Sequence, residues 1–205
     1  MPVVLYEKQR ETLDFISQFI QKHGYSPTLQ EVADAMNLNS LATVHEHVKS
    51  LVRKGVIKKT GGRKNRQLEI VDENIAKIDS GIRLPVLGFI SADKPLEEFS
   101  DPKAYIYVAP KVIKGKRRAY ALRIRGSSLQ KEGFLDGDYI VVEEEQQLKD
   151  GQTAVLILED KSAVVKKFFK EKTRIRLESV NPRLEPTYVN KVKIQGEAIF
   201  LIRNF

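Results

Sequence analysis

The chain has 205 residues, enough for one large or two small domains with interiors of their own. It has no cysteine, which excludes disulfides and thiolate metal sites and makes a reducing cytosol the expected compartment. The formal net charge is +8, from 35 Lys and Arg against 27 Asp and Glu, a balance that permits nucleic-acid binding without demonstrating it. The opening stretch MPVVLYEKQRETLDF lacks the basic-then-apolar layout of a secretory signal. No apolar run approaches the roughly 18 residues that a membrane helix needs, so no membrane partner is expected.

Residues 7–22 place Leu13, Ile16 and Ile20 at helical spacing, and Phe15 and Phe19 widen the apolar stripe. Gly24 and Pro27 predict its end. Thr28-Leu29-Gln30-Glu31 has the form of a capping box, in which threonine and glutamate each satisfy the other's backbone N–H. It predicts a short second helix with Leu29, Val32 and Met36 facing inward, and Asn37-Leu38-Asn39 a tight exit. Ser40 is the predicted cap of a third helix that runs to about Lys54, buries Val44, Val48 and Leu51, and stops at Gly55. Two short helices across a three- or four-residue turn form a helix-turn-helix pattern. Residues 56–59 and 67–71 predict strands on either side of Thr60-Gly61-Gly62-Arg63-Lys64-Asn65, a cationic hairpin that would make a wing.

Between His47 and Leu68 the charged residues are Lys49, Arg53, Lys54, Lys58, Lys59, Arg63, Lys64 and Arg66, with no Asp or Glu among them. A solvated basic face would give the same run. Within a helix-turn-helix frame, however, the third helix enters the major groove of double-stranded DNA. Ser40, Ala42, Thr43, His45 and Glu46 then lie on its early outward turns, within reach of base edges. Lys49, Arg53 and Lys54 are the expected phosphate contacts, and the wing cations Arg63 and Lys64 reach a neighbouring stretch of backbone. His45 and His47, two residues apart on a helix, point away from each other, which argues against a metal site. No metal or other cofactor is expected, and His47 also reads as an ordinary surface residue.

The stretch from residue 72 to 81 is polar, charged and weakly periodic. The expected organisation is a winged helix-turn-helix domain over 1–71, a linker over 72–82 and a body over 83–205. In the body, short runs at 84–90, 105–108, 120–124, 139–142, 153–158, 163–169, 174–177, 192–194 and 198–202 alternate with turn residues such as Asp136-Gly137-Asp138 and Asp150-Gly151. They predict many short strands, so the chain as a whole reads as α+β, a helical head followed by a β-rich body.

All three histidines, His23, His45 and His47, lie in the head. The body therefore cannot build a Ser-His or Cys-His site from its own residues, and for acyl transfer a serine activated by lysine is the remaining common arrangement. The turn Gly126-Ser127-Ser128 offers the serine. The run from Ser162 to Phe169 offers a lysine among Val164, Val165, Phe168 and Phe169, and a lysine acts as a base only when neutral, which apolar surroundings favour. Strand alternation puts Val164, Lys166 and Phe168 on one face and Val165, Lys167 and Phe169 on the other. Spacing alone chooses neither between Lys166 and Lys167 nor between Ser127 and Ser128, and serines after glycine are common in turns.

From its first helix to its C-terminus the chain resembles the LexA family of SOS-response repressors and self-cleaving serine peptidases. In the head the resemblance runs through Gln9-Arg10, Gly24-Tyr25-Ser26-Pro27-Thr28, Glu31-Val32-Ala33, Thr43-Val44-His45, His47 and Arg53-Lys54-Gly55-Val56-Ile57. In the body it runs through Leu84-Pro85-Val86-Leu87-Gly88, Lys94-Pro95-Leu96, Arg125-Gly126-Ser127-Ser128-Leu129, Asp136-Gly137-Asp138, Val164-Val165-Lys166-Lys167 and Ile202-Arg203-Asn204. The resemblance implies a signal-peptidase-like body in which Ser128 is the nucleophile, Lys166 the general base and the Ser127 and Ser128 amides the oxyanion hole. It also implies a homodimer held by the body, a palindromic operator, relief of repression by an activated RecA–single-stranded DNA filament, and a cytoplasmic, nucleoid-associated protein.

Three positions depart from the family pattern. Leu129 replaces the methionine after the nucleophile, a swap of similar volume. Ala42 stands where the enterobacterial recognition helix has asparagine, and Thr43-Val44-His45 looks like the Gram-positive branch. In the cleavage loop Ile90-Ser91-Ala92-Asp93-Lys94-Pro95-Leu96, Ala92 keeps the small residue before the scissile bond, but Asp93 replaces the glycine after it. A side chain there carries a steric cost if the loop needs positive φ, and a carboxylate beside the dyad favours the charged, inactive lysine. The expectation is a repressor that folds, dimerises and represses normally but cuts itself poorly or not at all at Ala92–Asp93. One alternative is a winged-helix repressor whose body serves only for dimerisation; another is a peptidase that acts on other proteins.

Overall fold

The computed structural model describes residues 5–60, 67–71, 81–92, 94–98, 104–114 and 117–203. The chain divides into two compact units, Met1–Leu84 with Tyr107–Arg118, and Pro85–Ile106 with Ala119–Phe205.

The first unit begins with α1, Glu7–His23, which ends where the Gly24 N–H returns to Ile20 O at 2.8 Å. The helix α2, Leu29–Ala35, has the capping box read from the sequence: Glu31 N donates to Thr28 Oγ1 at 3.1 Å and Thr28 N to Glu31 Oε2 at 2.8 Å. The third helix, α3, Leu41–Arg53, has Ser40 in the N-cap position, but the Ser40 hydroxyl makes no capping bond. Val44, Val48 and Leu51 recur at helical spacing and are fully buried against Ile16, Phe15, Val32 and Ile57. Each such burial is worth about 1.5–3 kcal/mol, which fixes the rotation of α3 and leaves its opposite face to solvent. Leu29, expected inside, is exposed. It occupies the first turn of α2, and the inward stripe is made by Val32, Ala33 and Ala35 instead. The strands β1, Ile57–Thr60, and β2, Gln67–Ile70, pair antiparallel from Ile57↔Ile70 to Thr60↔Gln67, as the wing pattern requires. The wing turn itself, with Arg63 and Lys64, lies outside the described residues, as does most of the expected linker.

Residues 83–84 and 107–118, expected in the body, belong to this first unit. The polar side of α1 explains the difference. Gln18 Nε2 donates to Arg83 O at 3.4 Å, Arg83 N donates to Gln21 Oε1 at 3.2 Å, and Arg118 Nη2 donates to Asp14 Oδ2 at 3.3 Å. Thr12, Ser17 and Gln18 are buried, although an apolar-stripe reading assigns them to solvent.

The second unit is built on one sheet, although the first residues of β3 and the last of β5 are grouped with the first unit. Its strands are β3, Ile82–Ile90; β4, Glu97–Glu98; β5, Tyr105–Val108; β6, Ala119–Ile124; β7, Tyr139–Glu143; β8, Thr153–Ile157; β9, Ala163–Lys170; β10, Ile175–Glu178; β11, Thr187–Val189; and β12, Lys193–Ile202. They run in the order β11-β10-β9-β8-β12-β7-β6-β3-β4, with β5 beside β3. The β3–β6 pair is parallel, and the other neighbours whose register is defined are antiparallel. The two runs expected at 192–194 and 198–202 are one strand that crosses from β8 to β7, with register shifts on either side of the crossing. Gly196 permits this: a Cβ there would stand 2.3 Å from Glu143 O, so only glycine lets β12 lie so close to β7. The sequence reading missed β4 and β11, which have two and three residues and no buried alternation to signal them. No helix among the described residues is long and apolar enough to cross a membrane.

Candidate active site and nucleic-acid interface

Strand β6 delivers the chain into Gly126-Ser127-Ser128, and a short 3-10 turn, Gln130–Glu132, follows. Leu129 is buried beneath that turn, packed in a core with Ile124, Phe134 and Val165. A second turn braces the first: Gly126 N donates to Asp136 Oδ1 at 2.6 Å, and Leu135 N donates to Asp138 Oδ2 at 2.7 Å. Arg203, beyond the end of β12, grips the buried Asp138 carboxylate with Nε at 2.8 Å and Nη2 at 2.7 Å, and Nη2 also donates to Gly133 O at 2.9 Å. The serine turn is therefore held from below by leucine and from the side by a bidentate ion pair.

The Arg203 hydrogen bonds hold the Asp138 carboxyl below the usual carboxylate range, against the opposing effect of burial and with help from the Leu135 N–H. A carboxyl whose pKa falls on folding adds stability that is fully present above its unfolded value of about 3.9 and disappears as pH drops through the folded value. Arg203→Ala is therefore expected to cost about 3 kcal/mol at pH 7, because it leaves Asp138 buried without its cation. The gap to the parent chain should shrink below about pH 4, as the carboxyl becomes neutral in folded and unfolded chains alike. Urea unfolding at about pH 7 and about pH 3 reads both numbers.

Residues 91–96, where the cleavage site is expected, connect β3 to β4. These strands close over each other at Gly88, where a Cβ would meet Glu97 O at 2.3 Å. Arg125 anchors the base of the loop: its N–H donates to Ile90 O at 3.0 Å, and its guanidinium stacks 3.5 Å from the Phe89 ring centroid and pairs with Glu97. Ala92 and Leu96 pack against the core that contains Leu129, and Ala163 N donates to Lys94 O at 2.8 Å. The loop is thus seated against the serine turn, with Ala92 N donating to Ser128 Oγ at 2.9 Å. Covalent geometry puts the Ala92 carbonyl carbon only about 2.5 Å from that same nitrogen. Asp93 lies outside the described residues.

Lys166 sits on β9 opposite Ala154 of β8. Its Nζ donates to Glu132 Oε1 at 2.5 Å, and the two side chains are 14% and 13% exposed. Between the lysines that alternation left open, Lys166 is the one whose ammonium reaches the turn beginning at Ser128. Among the described residues no hydrogen bond joins Lys166 to Ser128; a carboxylate is the stronger acceptor for an ammonium, and Glu132 takes it. The other Glu132 oxygen, Oε2, accepts from the buried Ser179 hydroxyl at 2.5 Å. The Ser127 and Ser128 amide N–H groups meet no acceptor among the described residues. Sequence reasoning missed Glu132 and Ser179 because each lies in a short polar stretch that reads as solvent-facing turn. Asp138 and Arg203 stood in motifs that carried the resemblance, with no role attached.

In the first unit Ser40, Ala42, Thr43, His45, Glu46, Lys49 and Arg53 are all exposed on α3 or at its start, and His47 is half-buried. Lys49 Nζ lies 3.5 Å from Glu46 Oε1, and His45 Nδ1 lies 3.8 Å from the same oxygen. Such surface pairs are worth little and yield readily to a stronger anion. Lys54 Nζ donates to Gln9 Oε1 at 2.7 Å and sits over the Tyr6 ring, which ties it to α1.

Two family models match the chain, the LexA DNA binding domain over residues 4–67 and Peptidase S24-like over residues 85–199. Full-length relatives are similar throughout. The LexA repressor of Geobacillus kaustophilus is 34% identical over 204 residues, 98% of each chain. That of Caldicellulosiruptor saccharolyticus is 37% identical over 199 residues, 97% of each. That of Koribacter versatilis is 32% identical over 213 aligned positions, covering 99% of this chain and all of the relative.

Proposed function

The chain belongs to the LexA repressor family, with its DNA-binding and S24 peptidase domains, and from that we propose a dimeric repressor of DNA-damage genes that inactivates itself by cutting Ala92–Asp93. The observation that carries this reading is the seat of Ala92 on the Ser128 hydroxyl, a substrate loop held against its own nucleophile. In the reaction, Ser128 Oγ gives its proton to neutral Lys166 and bonds to the Ala92 carbonyl carbon. The Ser127 and Ser128 amides receive the oxyanion. The Ala92–Asp93 C–N bond then breaks, the amine of residue 93 leaves with the proton from Lys166, and water hydrolyses the ester on Ser128. An activated RecA–single-stranded DNA filament would speed the process by binding the cutting-competent state more tightly than the resting one.

The exposed face of α3 reads the operator through Ser40, Ala42, Thr43, His45 and Glu46, while Lys49, Arg53 and the wing cations Arg63 and Lys64 meet phosphates. Lys54, engaged by Gln9, serves the head's own packing first. Dimerisation through the body supplies the two-fold symmetry that a palindrome needs. The closing run of β12 suits that role, since Phe200 and Leu201 are exposed and this end of the strand pairs with β7 alone among the described residues. The second reading, a repressor whose body only dimerises, is favoured by Asp93 and by the engagement of Lys166 with Glu132.

DNA binding is tested on a duplex that the full chain selects from a random pool. Lys49→Ala and Arg53→Ala are each expected to weaken binding several-fold on every sequence and to flatten the log–log salt slope by about 1. Thr43→Ala should cost about 1–3 kcal/mol on the selected site and much less on random DNA. Binding without sequence preference in the parent chain would exclude a repressor.

A further inference from the structure

We propose that Glu132 is a brake on self-cleavage: by accepting the Lys166 ammonium it withholds the general base from Ser128, and the dyad acts only when that contact opens. This inference rests on the peptidase reading above and deepens it. The nucleophile and its substrate already touch, since Ala92 N donates to Ser128 Oγ at 2.9 Å. What the site lacks is a lysine free to accept a proton. Lys166 Nζ instead donates to the Glu132 carboxylate at 2.5 Å, and a nitrogen engaged there is not available to accept from the Ser128 hydroxyl.

Glu132 is built into place. Ser179 Oγ, itself buried, donates to Glu132 Oε2 at 2.5 Å and accepts from Asn181 N at 2.9 Å. Asn181 Nδ2 returns to Lys131 O at 2.7 Å, closing a ring between residues 179–181 and the 3-10 turn that carries Glu132. With both side chains about one-seventh exposed or less, water screens the pair far less than it does a surface pair. Among the described residues Lys166 forms no other ion pair within 4 Å. Its neighbour on β8 is Ala154, Glu178 of β10 stands opposite Lys167, and Lys94 contributes its carbonyl to Ala163. Glu132 is thus a positioning residue that acts through the base. It also shares the turn of the nucleophile, four residues on, so a movement that re-aims Ser128 also disturbs the Glu132–Lys166 contact.

The test measures the rate of self-cleavage of the full chain by intact mass from neutral to alkaline pH, in the parent sequence and in Asp93→Gly. Glu132→Gln keeps the shape of the side chain and its contact with Ser179 but removes the charge; Glu132→Ala and Ser179→Ala are run beside it. Both Glu132 substitutions are expected to raise the rate near neutral pH by about tenfold or more and to move the onset of cutting to lower pH. Ser179→Ala should act in the same direction and less, and adding Lys166→Ala should abolish the gain. A purely structural role would change thermal stability and leave the pH profile in place. Parent chains that cut while the Glu132→Gln chains cut no faster, or more slowly, overturn the brake and leave the peptidase reading standing. Failure of every chain to cut, Asp93→Gly with Glu132→Gln included, overturns both.

Discussion

Ser128→Ala is expected to remove self-cleavage, a loss of about 10^4-fold or more, and to leave the fold intact. The size follows from how such sites work: nucleophile and base act as one unit, and deleting either takes away nearly all the rate that the pair provides. Stability should change little, because the Ser128 hydroxyl is exposed and its one partner among the described residues is the Ala92 N–H, which water can serve instead. Lys166→Ala should match it in rate but not in stability. Removing Lys166 leaves the Glu132 carboxylate, 13% exposed, without its cation, a cost of roughly 1–3 kcal/mol. A chain with Ser128→Ala and another with Lys166→Ala are thus expected to be equally inactive and unequally stable, and thermal unfolding beside intact mass separates the two effects. If either variant cuts at the parent rate, the dyad is misassigned.

Asp93→Gly is expected to raise the rate of self-cleavage by about 10- to 100-fold at alkaline pH. Two costs are lifted together. A non-glycine residue forced to positive φ carries about 1–2 kcal/mol, or roughly 5- to 30-fold in rate if the transition state needs that conformation. A carboxylate next to the scissile bond also adds a negative charge where an oxyanion must develop, and Asp93→Gly removes it. An aspartate at this position is either the natural residue of a relative that cuts a variant bond or a replacement that blocks cutting. Asp93→Asn divides the two costs: it removes the charge and keeps the side chain, so a gain smaller than that of Asp93→Gly measures the steric share. Equal rates for the parent chain, Asp93→Asn and Asp93→Gly would remove this residue from the account.

The head was readable because its signals are local. The Thr28–Glu31 capping box, the Val44/Val48/Leu51 stripe and the glycine at position 55 each act within a few residues, and each produced the expected element. Leu29 escaped because one turn of helix cannot say which of its apolar residues meets the core. The strands of the body were legible from alternation, but their order was not: β12 lies between β8 and β7, and Gly196, the residue that allows it, falls in the gap between the two runs expected at 192–194 and 198–202. Ser128 and Lys166 rested on resemblance, since nothing in the alternation of Val164 to Phe169 separates Lys166 from Lys167. Glu132 and Ser179 gave no signal at all. They meet across 47 residues of chain through one hydrogen bond, and only the fold brings a polar turn residue onto the base.

The most direct measurement is the mass of the fragments formed by the full-length Asp93→Gly, Glu132→Gln chain after alkaline incubation, beside the same chain with Ser128→Ala. Two fragments are expected, one ending at Ala92 and the other beginning at residue 93, with neither present in the Ser128→Ala partner. An uncut chain, or the same two fragments in the absence of Ser128, would contradict self-cleavage by a serine–lysine pair.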